Sequence, residues 1–176
     1  MNSVPWALAF VVLAFVPATL TQAASVPAVA AVFDFEFIDT SLEGAVNGSP
    51  RSDEKERLAE INERLRQWLA ASKKVRIADI SSVAERAHAT RLQECGGCDA
   101  DLARRVGAQL SITGTVQKVS NLILNMNIYV RDAASGRMIA VMSADMRGNT
   151  DESWTRTLDW LIHNRLAQVL DGVHRQ

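Results

Sequence analysis

Cys95 and Cys98 are the residues whose type and spacing most suggest chemistry. Cys95-Gly-Gly-Cys98 brings two thiols within reach of each other just ahead of a segment with helical character, and the 176-residue chain has no other cysteine. In an exported protein such a pair reads first as a disulfide. A helix start would favour the thiolates, so a thiol-disulfide or metal-handling protein centred on this motif is the alternative. The motif follows a weakly patterned helix and the loop residues Gln93 and Glu94, not the strand that a thioredoxin-like frame supplies. Haem attachment needs a His directly after the second cysteine, where Asp99 stands. Zinc takes about four ligands, and His88, His163 and His174 are joined to the cysteines by no motif.

Asp34, Glu36, Asp39 and Glu43 are a second candidate, as oxygen ligands for calcium or as paired carboxylates. Their spacing lacks the sharp-turn Gly and the closing Glu of an EF-hand loop, so they read as a solvated strand end and loop. No Gly-x-Ser-x-Gly elbow occurs after residue 23, and Gly107 to Gly114 holds no phosphate-loop Lys. The expectation is therefore a protein with no enzymatic activity, no metal and no cofactor. A net charge of −1 gives no basic footprint for nucleic acid.

The elements that position these residues follow from hydrophobic period. Val29, Ala31, Phe33, Phe35 and Phe37 alternate with Ala30, Val32, Asp34, Glu36 and Ile38, a strand apolar on both faces at its start, which suits a central position. Thr40 to Ser52 carries Gly44, Asn47, Gly48 and Pro50 and reads as an exposed loop. Ser52 or Asp53 caps a helix to about Ala71 with Leu58, Ile61, Leu65 and Leu69 as its buried stripe and Trp68 at the margin. Val75 to Ile80 suggests a short strand, Ser81 and Ser82 open a helix to about Arg91, and Asp99 opens another that Gly107 ends. Gly107 to Arg147 is then three alternating strands in a row, the third carrying Met138, Met142 and Met146. Asn149 with Glu152 forms a capping box for a last helix from about Thr150 to Leu170. The order β-α-β-α-α-β-β-β-α implies an α+β fold, a mixed five-stranded sheet with a C-terminal antiparallel meander and helices packed on its apolar face.

Residues 1–23 carry no charged side chain, and an apolar run from Val4 to Val16 precedes Thr21-Gln-Ala23. This is the layout of a secretory signal peptide, with residues 24–176 as one domain, periplasmic and without a stable membrane span; an uncleaved amino-terminal anchor is the alternative.

The wet face of the meander is the third candidate. With the hairpin turning at Ser120, Thr115 faces Asn125, Thr113 faces Asn127 and Ser111 lies near Tyr129, with Arg131 beside them. Trp160 projects from the last helix opposite its apolar stripe and is a candidate anchor. The expected partner-binding set is Thr113, Thr115, Asn125, Asn127, Tyr129, Arg131 and Trp160, together with the acidic loop Asp39 to Ser52. Few Lys or Glu residues guard the strands, which favours strand addition or self-association.

Gly107-Ala108-Gln-Leu110-Ser-Ile112-Thr113-Gly114-Thr115-Val116, the turn Asp132-x-x-Ser135-Gly136 and the opening Val32-Phe33-Asp34-Phe35 resemble the small α/β domain of the TolB amino-terminal part and of CsgG. Asp34-Phe35-Glu36 through Asp39-Thr40-Ser41, Cys95-Gly-Gly-Cys98-Asp and Arg147 through Trp154 resemble a family of bacterial secreted proteins of unknown function. The resemblance implies an envelope protein that works by contact with another envelope protein.

Overall fold

Alternation of apolar and polar residues resolves into long strands in the computed structural model, which describes residues 26–173. The expected signal peptide, its cleavage site and His174 lie outside those residues. The elements run β1 (Ala28–Asp39), α1 (Leu42–Asn47), α2 (Ser52–Ser72), β2 (Val75–Ile77), α3 (Ser81–His88), α4 (Cys98–Arg105), β3 (Leu110–Ser120), β4 (Ile123–Asp132), β5 (Met138–Arg147) and α5 (Asp151–Leu161). A π-helical segment (Ile162–Leu166) then leads into α6 (Ala167–Val173). The strands form one sheet in the order β2-β1-β3-β4-β5, with β1 parallel to both its neighbours and β3, β4 and β5 antiparallel. The α+β class and the meander are those expected. Among the described residues no helix is long and apolar enough to cross a membrane.

Helices cover both faces of the sheet, not one. Because β1 is apolar on both sides, Ala30, Val32 and Phe35 join the larger core with Ile61, Leu65 and Leu69 of α2 and Trp154, Leu158 and Leu161 of α5. Ala31 and Phe33 meet Val83 of α3, Leu92, and Leu102 and Ala103 of α4 on the other side. Trp154 is 0% exposed, stacks on Phe37 with centroids 5.8 Å apart, and donates its indole N–H to Asn149 Oδ1 at 2.9 Å. That hydrogen bond is what lets an indole sit fully inside.

Local departures from the expected elements have local causes. Residues 40–52 are not an open loop: Ser41 Oγ accepts from Gly44 N–H at 3.1 Å and starts α1. In α2 the cap falls on Arg51, whose N–H donates to Glu54 Oε2 at 2.9 Å. Thr150, not Asn149, caps α5 by accepting from Ser153 N–H at 3.2 Å, which frees Asn149 for other work. The β3–β4 turn is Asn121-Leu122, where Ser120 Oγ accepts both the Leu122 and Ile123 N–H groups at 3.2 Å. With a bulge at Lys118/Ser120, Thr115 therefore faces Asn127, Thr113 faces Tyr129 and Ser111 faces Arg131, two residues along from the expected register.

A second irregularity fixes a glycine. The register of β1 against β3 slips between Val32 and Phe35, and the Phe35 ring comes to lie over Gly114, where a Cβ would stand 2.3 Å from the ring. Only a residue without a side chain admits that approach. Gly114→Ala is expected to lower the unfolding free energy by about 1–3 kcal/mol through overpacking, with partial recovery in Gly114→Ala/Phe35→Leu. Urea melts of the two variants check this; an unchanged midpoint in Gly114→Ala would contradict it.

Candidate functional site

The chemistry at one end of the sheet starts from a charge in an apolar position. Lys118 lies on the same side of β3 as Ile112, Gly114 and Val116, and Asp39 follows Phe35 and Phe37 on the matching side of β1. Lys118 and Glu54 are both 0% exposed. The ammonium Nζ stands 2.8 Å from Glu54 Oε1, 3.1 Å from Glu43 Oε2 and 3.4 Å from Asp39 Oδ2. Neutral donors share the carboxylates: Asn149 Nδ2 donates to Glu54 Oε1 and Asn121 Nδ2 to Glu43 Oε2, each at 2.8 Å. Arg51 reaches Glu43 at 3.0 Å and holds Asp53 with two bonds of 2.9 and 2.5 Å, while Arg57 joins Asp53 at 2.9 Å to Asp151 at 2.6 Å. Segments far apart in sequence are thereby tied at one point.

Hydrogen bonds from Lys118, Asn121 and Arg51 hold the Glu43 carboxyl down at about 2. Asp39 would be pushed up by burial, but hydrogen bonds from Ser41 and Ser49 and the charge of Lys118 outweigh this and leave it lowered. Lys118 is likewise pushed down by burial and more than restored by Glu54 and Glu43. The acidic group Asp34, Glu36, Asp39 and Glu43 is therefore divided among protein partners. Asp39 and Glu43 take Lys118, Asp34 takes Arg66 and His88, and Glu36 Oε1 accepts the Leu92 N–H at 2.5 Å. The cation slot between Asp39, Glu43 and Glu54 is filled by an ammonium. Among the described residues no group of three or more His, Cys, Asp and Glu residues could hold a metal ion.

This ion cluster presents apolar side chains outward. Glu43 pins α1 beside Asn121 of the β3–β4 turn, and Gly44 packs so tightly on the Asp39 carboxylate that a Cβ there would lie 2.4 Å from it. Leu42 and Val46, one helical turn apart on α1, are 82% and 74% exposed, and Val119, Leu122 and Ile123 at the β3–β4 turn are also exposed. Five of the eight exposed large hydrophobics among the described residues thus sit on two adjoining segments. Exposed apolar side chains gathered on adjoining segments are a candidate contact site. Lys118 could have been found from sequence as a charge at a core-parity position, which demands a buried anion. The apolar end could not, because it depends on α1 docking beside a turn 78 residues away.

The expected partner-binding residues are only partly brought together. Asn125, Asn127 and Tyr129 lie half-buried on the open face of β4, beside exposed Val141 and Ser143 of β5. Asn125 Nδ2 donates to Ser143 Oγ at 3.0 Å and to Asp145 Oδ1 at 2.9 Å, and Asn127 Nδ2 to Thr115 Oγ1 at 3.1 Å. Thr113 and Thr115 are each 2% exposed and do not reach the surface. Segment 91–97 lies over that part of the sheet, with the Gln93 amide donating to Thr113 Oγ1 and Leu92 held by Glu36. Arg131 turns inward, its Nε 3.1 Å from Asp99 Oδ2 and its Nη1 donating to the Gly136 carbonyl at 2.9 Å. Trp160 is partly exposed under the Arg165 guanidinium, 5.6 Å from its ring centroid, but α5 lies on the other side of the sheet from the Asn face. Thr113, Thr115, Arg131 and Trp160 therefore do not share one surface with Asn125, Asn127 and Tyr129. Cys95 and Cys98 are joined by a disulfide that closes segment 91–97 against the start of α4.

Two stability predictions follow from this geometry. Lys118→Met leaves buried carboxylates without their cation and is expected to cost about 3–5 kcal/mol at neutral pH. Because the folded-state pKa of Glu43 lies below its ordinary value of 4.5, its contribution is complete above that value and is lost as pH falls towards about 2. The gap between the wild-type chain and Lys118→Met should accordingly narrow in acid, as read from denaturant melts across that range; a pH-independent gap would contradict the assignment. Cys95→Ser/Cys98→Ser removes a very short covalent loop and is expected to cost about 2 kcal/mol, measured in the same way.

Several solved structures are similar to this chain. The solution structure of Escherichia coli LpoB is 16% identical, with a TM-score of 0.50 over 73% of this chain and 60% of that one. The C-terminal domain of the same Escherichia coli protein is 18% identical, with a TM-score of 0.48 over 71% of this chain and 86% of that one. Lipoprotein GNA1162 from Neisseria meningitidis is 16% identical, with a TM-score of 0.46 over 80% of this chain and 97% of that one. No curated protein matches the sequence. The model of the family DUF3280, described as a protein of unknown function (DUF2380), matches residues 28–166, and the chain belongs to that family.

Proposed function

We propose that this chain is a non-enzymatic exported protein of the bacterial cell envelope that works by docking another envelope protein. The docking surface is the apolar end made by Leu42 and Val46 of α1 with Leu122 and Ile123 of the β3–β4 turn, continued along β4–β5 by Asn125, Asn127, Tyr129 and Val141. The observation that carries this reading is the gathering of exposed apolar side chains on two segments that an ion cluster ties together through Glu43 and Asn121. An apolar centre with a rim of amides and hydroxyls is the composition of a protein contact, and a pre-ordered surface loses less entropy on binding than a loose loop. The signal-peptide layout of residues 1–23 and the resemblance to TolB-like and CsgG-like envelope domains support the location. The Cys95–Cys98 disulfide supports a staple role, since it fastens the segment whose Gln93 and Leu92 cover Thr113 and Glu36.

Photo-crosslinking in intact cells tests this. A photoreactive residue at Leu42 or Leu122 is expected to give one discrete adduct that the same probe at exposed Arg105 on α4 does not give. Leu122→Asp should weaken the association at least about tenfold, or about 1.4 kcal/mol, with little change in melting temperature because the site is exposed. Equal labelling at Leu122 and Arg105, or an adduct indifferent to Leu122→Asp, would contradict the reading.

A further inference from the structure

Beyond that surface, β1 leaves part of its outer edge open. Its neighbour β2 pairs only with Ala28, Val29 and Ala30, after which Ala78 N–H donates to the Ala30 carbonyl at 2.8 Å and the chain departs into α3. The direction of the remaining main-chain groups follows from two bonds. Thr40 N–H donates to the Lys118 carbonyl at 2.9 Å, so Thr40, Ile38 and Glu36 point their backbone groups at β3. Phe35 N–H donates to Asn62 Oδ1 of α2 at 2.8 Å, so Phe35 and Phe37 point away from β3. The Asn62 amide oxygen there occupies the position a neighbouring strand's carbonyl would take, and the Phe35 carbonyl and the Phe37 N–H and carbonyl continue the row.

The space beside that row is a groove of ≈ 440 Å³ running along Phe33–Ile38 of β1, with Ile80, Ala84 and Ala87 opposite. Two alanines in its wall leave room for a larger side chain. Its ionisable groups are matched within the chain: Asp34 bridges Arg66 and His88, Arg91 pairs with Glu94 at 3.1 Å, and Glu36 holds the Leu92 N–H. Asp34 and the bulge close the edge at one end in the manner of a guarded strand, while Phe35–Ile38 has neither Lys nor Pro nor a bulge, and its one charge, Glu36, is turned to the Leu92 N–H.

We infer that the β1 edge at Phe35–Phe37 is a strand-addition site for an extended, uncharged segment of another polypeptide, which places a large apolar side chain in the groove over Ala84 and Ala87. Only an extended main chain matches a row of amide and carbonyl groups at strand spacing, and the charged groups of the lining already have hydrogen-bond or ion-pair partners within the chain. The site is separate from the apolar end, so a partner or a second partner could occupy each independently.

The test pans a phage-displayed library of random segments, each about ten residues long, against the full chain and against Ala84→Trp, which fills the groove. Enriched peptides are expected to be β-branched, apolar and uncharged, and to bind Ala84→Trp at least about tenfold more weakly. On adding such a peptide the Phe37 amide should become protected from hydrogen exchange, and N-methylation of the peptide's alternate amides should abolish binding. Enrichment indifferent to Ala84→Trp, protection at α1 or β4–β5 in place of Phe37, or undiminished binding of the N-methylated peptide would overturn the inference. The last outcome would identify an apolar ligand pocket without strand pairing. If Ala84→Trp fails to fold, protection at Phe37 and the N-methyl peptide decide the matter on the unaltered chain.

Discussion

The structure depends most on one ammonium group inside three carboxylates. Lys118 has no contact with water, and Glu54, Glu43 and Asp39 surround it from α2, α1 and the end of β1. Removing a charge from water is costly, and the cost is offset only where the geometry and the remaining hydrogen bonds are complete. Here Asn149, Asn121, Arg51 and the Arg51 backbone complete them. Asn149 also receives the Trp154 indole N–H, so the polar cluster and the apolar core share a residue. A chain region that would otherwise be loop is fixed in this way, and so are the side chains it exposes.

That constraint explains why an apolar end can persist on a folded protein. Leu42 and Val46 face solvent because the opposite side of α1 is committed to Lys118 and Asn121. The other sheet face follows a different logic. Segment 91–97, fastened by Cys95–Cys98, meets Thr113 through Gln93, Thr115 is held by Asn127 of β4, and β4 and β5 are left as the open part. Apolar end, amide-rich face and unpaired β1 edge are all consequences of where covering elements stop.

Much of the fold was legible from period alone. The alternation in Leu110–Val116 and Leu124–Val130 names the core face of the meander, and Ile61, Leu65 and Leu69 name that of α2. Register was not legible, because it turns on whether the hairpin bends at Ser120 or at Asn121-Leu122, and a Ser hydroxyl accepting two N–H groups decides it. Cap positions also moved, since Asn149 is more valuable to Glu54 and Trp154 than to the helix end. Of the expected site, Asn125, Asn127 and Tyr129 lie on the face that the alternation assigned them, but opposite other partners than expected. Thr113 and Thr115 have the right parity for a wet face, but parity does not reveal that Gln93 meets Thr113 and Asn127 holds Thr115. Arg131 was drawn inward by Asp99, a contact between residues 32 apart that no local pattern encodes.

The claim on which the account rests is that Lys118 holds α1 in place and thereby orders the apolar end. Residue-resolved amide hydrogen exchange on the wild-type chain and on Lys118→Met measures this directly. The Gly44 and Ala45 amides, bonded to Ser41, should exchange at least about tenfold faster in the variant, while amides in the centre of β4 are perturbed far less. Equal exchange at Gly44 and Ala45 in the two proteins would show that α1 is held by something other than the buried ion cluster.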